Sequence, residues 1–242
     1  MKSIFIWVLL LISTTTFSQD IAKGKLVYSN KLSSEKLLKG WVLEGKANVE
    51  FKNGWMHMYS PNEESHHVYW CPKNFPANFI AEWDAQNYKI EAGLCIIFFC
   101  AKGLHGEDIF DSSMPKRTTG NFDDYIRGVV NCYHVSYYAN GRDHPGRLIA
   151  NLRKNTGFHL IESSEPGIPL SFTGVNHLKL VKNGSSIQMF VDGRKIIDWV
   201  DDGKQFGPVL GEGKIGFRQM QWTHFAYRNF KVWEIADEGK KN

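Results

Sequence analysis

Short runs of alternating or continuously apolar residues, bounded by Gly, Asn, Asp and Pro, recur along this chain, and sustained helical periodicity is almost absent. Such a pattern predicts an all-β protein. The pair Asn53-Gly54 in VEFKNGWMHMY predicts a two-residue hairpin, because both residues accept the positive φ angles of a type I′ turn. The stretch HLKLVKNGSSIQMFVDGRKIIDWV predicts three consecutive antiparallel strands, with turns at Asn183-Gly184 and Asp192-Gly193.

Two further strands are predicted near the end of the chain, in GKIGFRQ and HFAYRNFKVWEI, with a loop from Arg218 to His224 between them. Two antiparallel sheets packed face to face would bury the apolar half of each strand and leave one outer face to form a groove. We therefore predict a jelly-roll β-sandwich. The polar stretch from Ala101 to Asp124 interrupts the strand pattern, and loops of this length in compact domains are often functional. We expect it to border the groove.

The first 18 residues have a Lys after the initiator Met, an apolar stretch, and small polar residues leading to Ser18. This pattern is typical of a secretory signal peptide and is short for a membrane span. We expect cleavage near Ser18, a single jelly-roll domain over residues 19–242, and export to the periplasm or the medium. No later segment is long and apolar enough to cross a bilayer, so we predict no membrane partner.

Charge and cysteine content limit the classes of function. A net charge of +4, spread along the chain, gives little support to nucleic-acid binding. Disulfides are permitted in an exported chain, but Cys95 and Cys100 are predicted on opposite faces of a strand, and we expect most of the four cysteines to be buried small hydrophobes. No CxxC or HExxH spacing indicates zinc, and no G-x-S-x-G elbow or phosphate-binding glycine loop is present. We predict a monomer that requires no cofactor, and a structural calcium ion stays open.

The densest group of proton-transfer and cationic residues lies within residues 131–160, which contain three His, three Tyr and four Arg or Lys. Because side chains alternate along a strand, His134 and Tyr138 are predicted on one face, roughly 13 Å apart. In the following run LIANLRKN, Asn151 and Arg153 also share a face. Neighbouring strands would then present a cation beside an acid/base pair.

Two other regions contribute candidate ligand contacts. In SHHVYWCP, the aliphatic residue after the His pair indicates that His66 points inward, which predicts His67 and Tyr69 at the groove. Trp222 lies in the predicted loop just before His224, and an aromatic ring in a loop is well placed to stack on a sugar.

Ordinary glycoside hydrolysis needs two carboxylates that flank the scissile bond. No acidic strand of the E-x-D-x-x-E kind is present. Glu82 and Asp84 in FIAEWDAQ share a strand face and are the nearest match. The sequence therefore favours chemistry that relies on His, Tyr and Arg.

The segments HVSYYANGRDHPGRLIANLRKNTGFHL and GKIGFRQMQWTHFAYRNFKVWEI resemble the YesU-like family of concanavalin-A-like jelly-roll proteins. YANG, NLRKN-GFHL and YRNFKVWE are the specific parts, and the resemblance covers nearly all of the mature chain. It implies a jelly roll encoded near other genes of acidic polysaccharide breakdown. The chain also resembles exported oligosaccharide dehydratases of ulvan degradation, which implies removal of water from a terminal uronic acid to give a 4,5-unsaturated sugar.

Such an elimination needs a base near C5, a group that neutralises the carboxylate, and an acid for the departing oxygen. Our hypothesis is that His134 and Tyr138 transfer protons, with His67 as a substitute for either. Arg153 is predicted to bind the uronate carboxylate through two hydrogen bonds. The other predicted contacts with the acidic oligosaccharide are Arg147, Asn151, Lys154, Tyr69, Trp222 and His224.

Two alternatives stay open at this stage. The first is a non-catalytic binding protein for acidic glycans, which would bind without forming an unsaturated product. The second is a glycoside hydrolase that uses Glu82 or Asp84, which would release reducing ends without forming a double bond.

Overall fold

The computed structural model describes residues 21–62, 64–140 and 148–236, and the predicted signal peptide lies outside them. Within these ranges the chain forms fifteen strands, a 3₁₀ turn at Glu35–Leu38 and a π-helical turn at Asp124–Gly128. The strands are β1 (Lys23–Asn30), β2 (Val42–Gly45), β3 (Asn48–Lys52), β4 (Trp55–Tyr59), β5 (His67–Trp70), β6 (Phe79–Asn87), β7 (Gly93–Gly103), β8 (Val130–Asn140), β9 (Ile149–Asn155), β10 (His159–Pro166), β11 (Val175–Asn183), β12 (Ser186–Val191), β13 (Arg194–Val200), β14 (Lys214–Gln219) and β15 (His224–Ile235).

These strands form two antiparallel sheets, which confirms the predicted all-β jelly-roll sandwich. The eight-stranded sheet has the order β13-β12-β11-β6-β15-β4-β3, and β1 also pairs with β15. The seven-stranded sheet has the order β10-β9-β8-β7-β14-β5-β2. Each sheet has an inner face that packs on the other sheet and an outer face that points away from it.

Local turn chemistry sets the hairpins. The predicted Asn-Gly turn before Trp55 and the Asp-Gly turn before Arg194 are both present, with φ angles of 52° and 79° in the first and 50° and 79° in the second. Both are the left-handed conformations that a type I′ turn requires. Between β11 and β12 the turn begins one residue later than predicted, at Gly184, because Asn183 still pairs with Ser186.

Aromatic rings from both inner faces form the centre of the core. The Phe217 ring lies 5.7 Å from that of Trp83, 5.0 Å from that of Tyr227 and 5.3 Å from that of Phe230. Tyr137 contacts Trp83 from the seven-stranded sheet at 6.0 Å. Such edge-to-face contacts add to the stabilisation that burial of these large side chains already provides.

The core also contains His67, so the prediction that His67 and Tyr69 line the groove is wrong. On β5 they occupy the inner face, and Val68 and Trp70 occupy the outer one. His67 is completely shielded from solvent. This burial, helped by the nearby positive charge of Arg218, lowers the pKa of His67 to about 3.

The outer face of the seven-stranded sheet is covered by residues 104–129, which join β7 to β8 and are called the covering segment below. The Tyr125 ring, on the π-helical turn, lies 6.2 Å from that of Trp70 and 5.5 Å from that of Phe98. The long excursion predicted to border the groove therefore packs directly on this face.

A buried carboxylate anchors the covering segment to the sheet. Glu44 of β2 accepts hydrogen bonds from Trp70 Nε1 at 2.9 Å and from the Tyr125 hydroxyl at 2.8 Å. Arg117 of the covering segment donates two more hydrogen bonds to this carboxylate, from Nε at 3.2 Å and from Nη2 at 2.8 Å. The Arg117 and Glu44 side chains are only 4% and 9% exposed, so charge and hydrogen-bonding capacity are matched inside the protein.

Arg117→Ala leaves the Glu44 carboxylate buried without its charged partner. We expect the free energy of unfolding to fall by about 3–5 kcal/mol, as when one side of a buried ion pair is removed. Urea denaturation followed by tryptophan fluorescence measures the change. Arg127→Ala is the matched control, because its ion pair with Asp123 on the same segment is exposed and contributes less than about 0.5 kcal/mol. Equal losses in the two variants would contradict the anchoring role of Glu44.

His67→Leu tests the buried imidazole through the pH dependence of stability. The pKa of His67 in the folded protein lies below that of an unfolded His, so the unfolded state binds a proton first as the pH falls below about 6.5. Between pH 7 and pH 5 we expect the wild type to lose about 2 kcal/mol more stability than the variant. Urea denaturation at both pH values measures this, with His105→Leu at an exposed position as control. Parallel curves for wild type and His67→Leu would refute the assignment.

Candidate active site on the seven-stranded sheet

His134 of β8 points to the outer face of the seven-stranded sheet, beneath the covering segment. Its ring lies 5.4 Å from that of Phe98, 5.8 Å from that of Phe122 and 6.0 Å from that of Phe158, and the residue is 2% exposed. Asn155 Nδ2 donates to His134 Nδ1 at 2.9 Å. In this orientation of the amide, the proton of the neutral imidazole is on Nε2.

Arg218 of β14 also points to this outer face and is completely buried. Its guanidinium lies 4.6 Å from the Phe122 ring and 5.1 Å from the Tyr125 ring, and Nη2 donates to the Gly120 carbonyl at 3.1 Å. Nε and Nη1 have no hydrogen-bond partner in the described part of the chain. Burial lowers the pKa of Arg218 to about 10, so the group remains charged at neutral pH. Among residues 21–62, 64–140 and 148–236, Glu44 and Asp124 favour this charge from a distance, but no carboxylate forms an ion pair with the Arg218 guanidinium.

Strand register places these two groups close together. Arg218 stands in one cross-strand row with Ser136 and Asn151, and His134 stands in the next row. Only β7 separates the strands that bear Arg218 and His134, so their backbones are roughly 10 Å apart. The Phe122 ring contacts both side chains. Covering segment and sheet therefore enclose one cation and one imidazole around a shared aromatic ring.

His66, just before β5, adds a second imidazole beside Arg218. Its Nδ1 lies 3.2 Å from Met220 Sδ, and it is partly exposed. Burial and the Arg218 charge lower the pKa of His66 to about 4, so the imidazole is neutral at pH 7. The prediction that His66 points into the core is wrong, since it lies on the same side as Arg218.

Arg153 and Asn151 lie on the outer face, at the opposite side of His134 from Arg218. Arg153 pairs with His134 across β8 and β9, and its guanidinium stacks 3.8 Å from the Phe158 ring. Arg153 Nη1 donates to the Phe158 carbonyl at 2.8 Å, and Ser163 Oγ donates to Asn151 Oδ1 at 2.8 Å. Both predicted substrate contacts are thus neighbours of His134.

Tyr138 does not share a face with His134, contrary to the prediction. A β-bulge causes the difference, because two consecutive residues of β7 pair with residues of β8 that are two apart. The extra residue, Tyr137, and Tyr138 itself both turn into the core, where the Tyr138 ring lies 5.0 Å from that of Phe225. Tyr138 therefore cannot form an acid/base pair with His134 on this face.

Lys154 and Tyr69 also point away from the site. Lys154 Nζ forms a buried ion pair with Asp201 Oδ2 at 2.7 Å and donates to the Gly207 carbonyl at 2.8 Å. Tyr69, on the inner face of β5, makes an edge-to-face contact with Trp41 at 5.4 Å. Their contacts are structural, which corrects the predicted role of both in binding a sugar.

The remaining predicted contacts are spread more widely. His224 belongs to the other sheet, where it lies on the outer face of β15 and stacks on Tyr88 at 5.3 Å, so its predicted place beside His134 is wrong. Trp222 is partly buried in the turn at residues 220–223, which joins β14 to β15. Arg147 lies outside the described residues.

Arg218, His66 and Phe122 are site residues that the sequence analysis missed. Strand alternation could have identified the first, because Ile215 and Phe217 share one face of GKIGFRQ and leave Arg218 on the other. No local pattern identifies Phe122, which reaches the site only because the covering segment folds back over the sheet.

The two carboxylates considered for hydrolysis lie on the eight-stranded sheet and are already paired. Asp84 contacts His177 Nδ1 at 3.0 Å and Arg228 Nε at 3.0 Å, and Glu82 contacts Lys23 Nζ at 2.7 Å. Burial opposes ionisation of both groups, but hydrogen bonds from His177 and these cations hold the pKa of each carboxyl below its usual value. They are on the wrong sheet to act together with His134.

All four cysteines are free and buried, as expected. Cys95 and Cys100 both belong to the central core cluster rather than to opposite faces, because Cys100 adopts a positive φ of 54° that alters the alternation. Among residues 21–62, 64–140 and 148–236, no three His, Cys, Asp or Glu side chains are arranged to hold a metal ion. The helical turns in these ranges are all too short or too polar to span a membrane.

Comparison with known proteins finds relatives that align with this chain over most of both lengths. The chain is 37% identical over 213 residues to the uncharacterized protein YesU of Bacillus subtilis strain 168, covering 87% of this chain and 96% of YesU. It is 36% identical, with a TM-score of 0.82, to a crystal structure of a Bacillus subtilis protein of unknown function with a galectin-like fold, covering 88% and 97% of the two chains. The Crh5 transglycosylase in complex with NAG shares the fold alone, with 9% identity, a TM-score of 0.56, and coverage of 87% and 84%. The predicted YesU-like resemblance is thereby confirmed. The profile of the family described as a domain of unknown function, DUF1961, matches residues 25–232, and the chain belongs to this family.

Proposed function

We propose that this protein binds an acidic oligosaccharide between the covering segment and the outer face of the seven-stranded sheet, with the segment moving aside to admit the sugar, and removes water from its terminal uronate by β-elimination. The observation that carries the proposal is the buried Arg218 guanidinium, two of whose nitrogens lack a hydrogen-bond partner among the described residues, with His66 on the same side and with His134 in contact with the same Phe122 ring. A buried cation that no carboxylate contacts directly is costly, and an anionic ligand bound to its N–H groups would relieve that cost.

Arg218 supplies the carboxylate contact in this scheme. Its planar guanidinium can donate two parallel hydrogen bonds to one carboxylate, from Nε and Nη2 or from Nη1 and Nη2, and among the described residues Nε and Nη1 have no partner, so either can form such a pair with Nη2. Binding also neutralises the negative charge that develops on the carboxylate as the neighbouring C5 carbon loses its proton. Arg153, the predicted carboxylate ligand, instead contacts the sugar from the Phe158 side of His134.

The two imidazoles supply the proton transfers. His66, neutral at pH 7, takes the proton from C5, and the electron pair left behind forms the C4=C5 double bond. The C4–O bond breaks at the same time, the departing hydroxyl takes the proton from His134 Nε2 and leaves as water, and the proton gained by His66 then returns to His134, which restores two neutral imidazoles. His66 replaces Tyr138 of the original hypothesis because Tyr138 lies in the core.

The setting of this reaction follows the same proposal. An N-terminal signal peptide would export the protein to the periplasm or the medium, where polysaccharide fragments are available. Elimination from a uronate by two imidazoles and a guanidinium needs no cofactor, and we propose that the protein acts as a monomer. The paired state of Glu82 and Asp84 supports elimination over hydrolysis.

Arg218→Gln and His134→Gln test the assignment on a panel of uronate-containing oligosaccharides. Mass spectrometry detects the loss of one water, and ultraviolet absorbance detects the unsaturated uronate. We expect Arg218→Gln to lower kcat about 100-fold to 1,000-fold, as for loss of an oxyanion-stabilising donor. His134→Gln should lower it by a similar or larger factor, about 100-fold to 10,000-fold. Arg127→Gln, at an exposed position of the covering segment, should keep wild-type kinetics.

Arg218→Lys separates charge from geometry, because it keeps the cation and loses the two-point contact. It should recover part of the activity lost in Arg218→Gln, and circular dichroism checks that each variant is folded. Wild-type turnover in His134→Gln would refute the acid role. If the wild-type protein binds uronate oligosaccharides in calorimetry but converts none of them, the elimination is wrong and the protein is a binding protein.

A further inference from the structure

The outer face of the eight-stranded sheet, on the opposite side of the core from Arg218, carries a second pair of histidines. His57 lies on β4 and His224 on the adjacent β15. In the register of these strands His57 pairs with Ala226, and His224 pairs with Tyr59, so the two imidazoles are diagonal neighbours. His57 Nδ1 and His224 Nε2 are 3.3 Å apart.

This separation matches a shared metal ion. Zn²⁺ binds His nitrogens at about 2.0–2.1 Å with tetrahedral geometry, which places two ligand nitrogens roughly 3.3 Å from each other. We propose that His57 Nδ1 and His224 Nε2 bind one divalent transition-metal ion, with Zn²⁺ as the ion that the geometry fits best. Imidazole is a suitable ligand for Zn²⁺, Cu²⁺ and Ni²⁺ alike.

The surroundings hold both rings in place. The Tyr88 ring lies 4.6 Å from that of His57 and 5.3 Å from that of His224, and the Tyr59 ring packs on His224 at 4.6 Å. The Tyr59 hydroxyl in turn donates to Glu50 at 2.5 Å, which holds the Tyr59 ring in place, and Glu50 is itself ion-paired with Lys52. Rings fixed in this way lose little conformational freedom when they bind an ion.

The two histidines would leave half of a tetrahedral coordination shell open. Within the described residues no third His, Cys, Asp or Glu is close enough to complete it. The two open positions would be taken by water or by a ligand with oxygen or nitrogen donors. His57 is nearly buried and His224 is partly exposed, so the ion would lie at the surface, on the His224 side of the pair.

Isothermal titration calorimetry of the untagged mature chain with ZnCl₂ tests the proposal. We expect one Zn²⁺ to bind the wild type. His57→Gln and His224→Gln should each weaken Zn²⁺ binding by at least about tenfold, because loss of a residue that only hydrogen-bonds to a metal ligand already lowers the affinity by that factor. His105→Gln, at an exposed position, and His134→Gln, on the other sheet, are matched controls that should bind as the wild type does. Circular dichroism verifies the fold of each variant, and the two single variants test the site independently.

Electron paramagnetic resonance with Cu²⁺ gives a second readout. Hyperfine coupling to two imidazole nitrogens is expected in the wild type and to one in either variant. A wild type that binds no Zn²⁺ would overturn the proposal and leave the 3.3 Å contact as a hydrogen bond between two imidazoles. Binding that persists in both His57→Gln and His224→Gln, or that is lost in His134→Gln, would overturn it as well.

Discussion

The candidate active site depends on the buried carboxylate of Glu44. Residues 104–129 pack on the sheet through apolar side chains such as Ile109 and Ile126, and Glu44 adds a charged anchor between the two. Its four hydrogen bonds come from Trp70 of the sheet and from Arg117 and Tyr125 of the covering segment, so one group ties all three together. Every donor is matched, and this is the condition under which a buried charge is tolerated. The anchored segment then brings Gly120 and Phe122 onto Arg218 and His134.

This covering also limits what strand alternation can reveal. In a sheet with one solvated face, apolar residues identify the inner face. Here both faces of β5 are buried, so Val68 and Trp70 pack beneath the covering segment while His67 enters the core. An aliphatic residue beside a His pair could therefore not tell the two faces apart. The distinction depends on a segment that lies far away in the sequence.

Features set by local chemistry were predictable, and features set by partner strands were not. The hairpin turns at Asn53 and Asp192 follow from residues that accept positive φ angles, so the sequence alone specifies them. The bulge at Tyr137 arises from the pairing of β7 with β8, and nothing in β8 alone marks it. The place of His224 depends on which sheet β15 joins, and the strand order of a jelly roll is not contained in the pattern of one strand.

Two buried guanidinium groups on the same sheet face differ in a way that bears on function. Arg117 is matched by Glu44, whereas among the described residues Arg218 contacts the Gly120 carbonyl, the Met220 sulfur and two aromatic faces. Aromatic rings attract a cation but do not satisfy its N–H groups. The N–H groups of Arg117 are hydrogen-bonded, whereas two of the Arg218 nitrogens are not, so burial of Arg218 destabilises the fold more than burial of Arg117 does. The unpartnered N–H groups of Arg218 lie on the same sheet face as the His66 and His134 imidazoles, and this combination of a buried cation with proton-transfer groups is the physical basis of the proposed site.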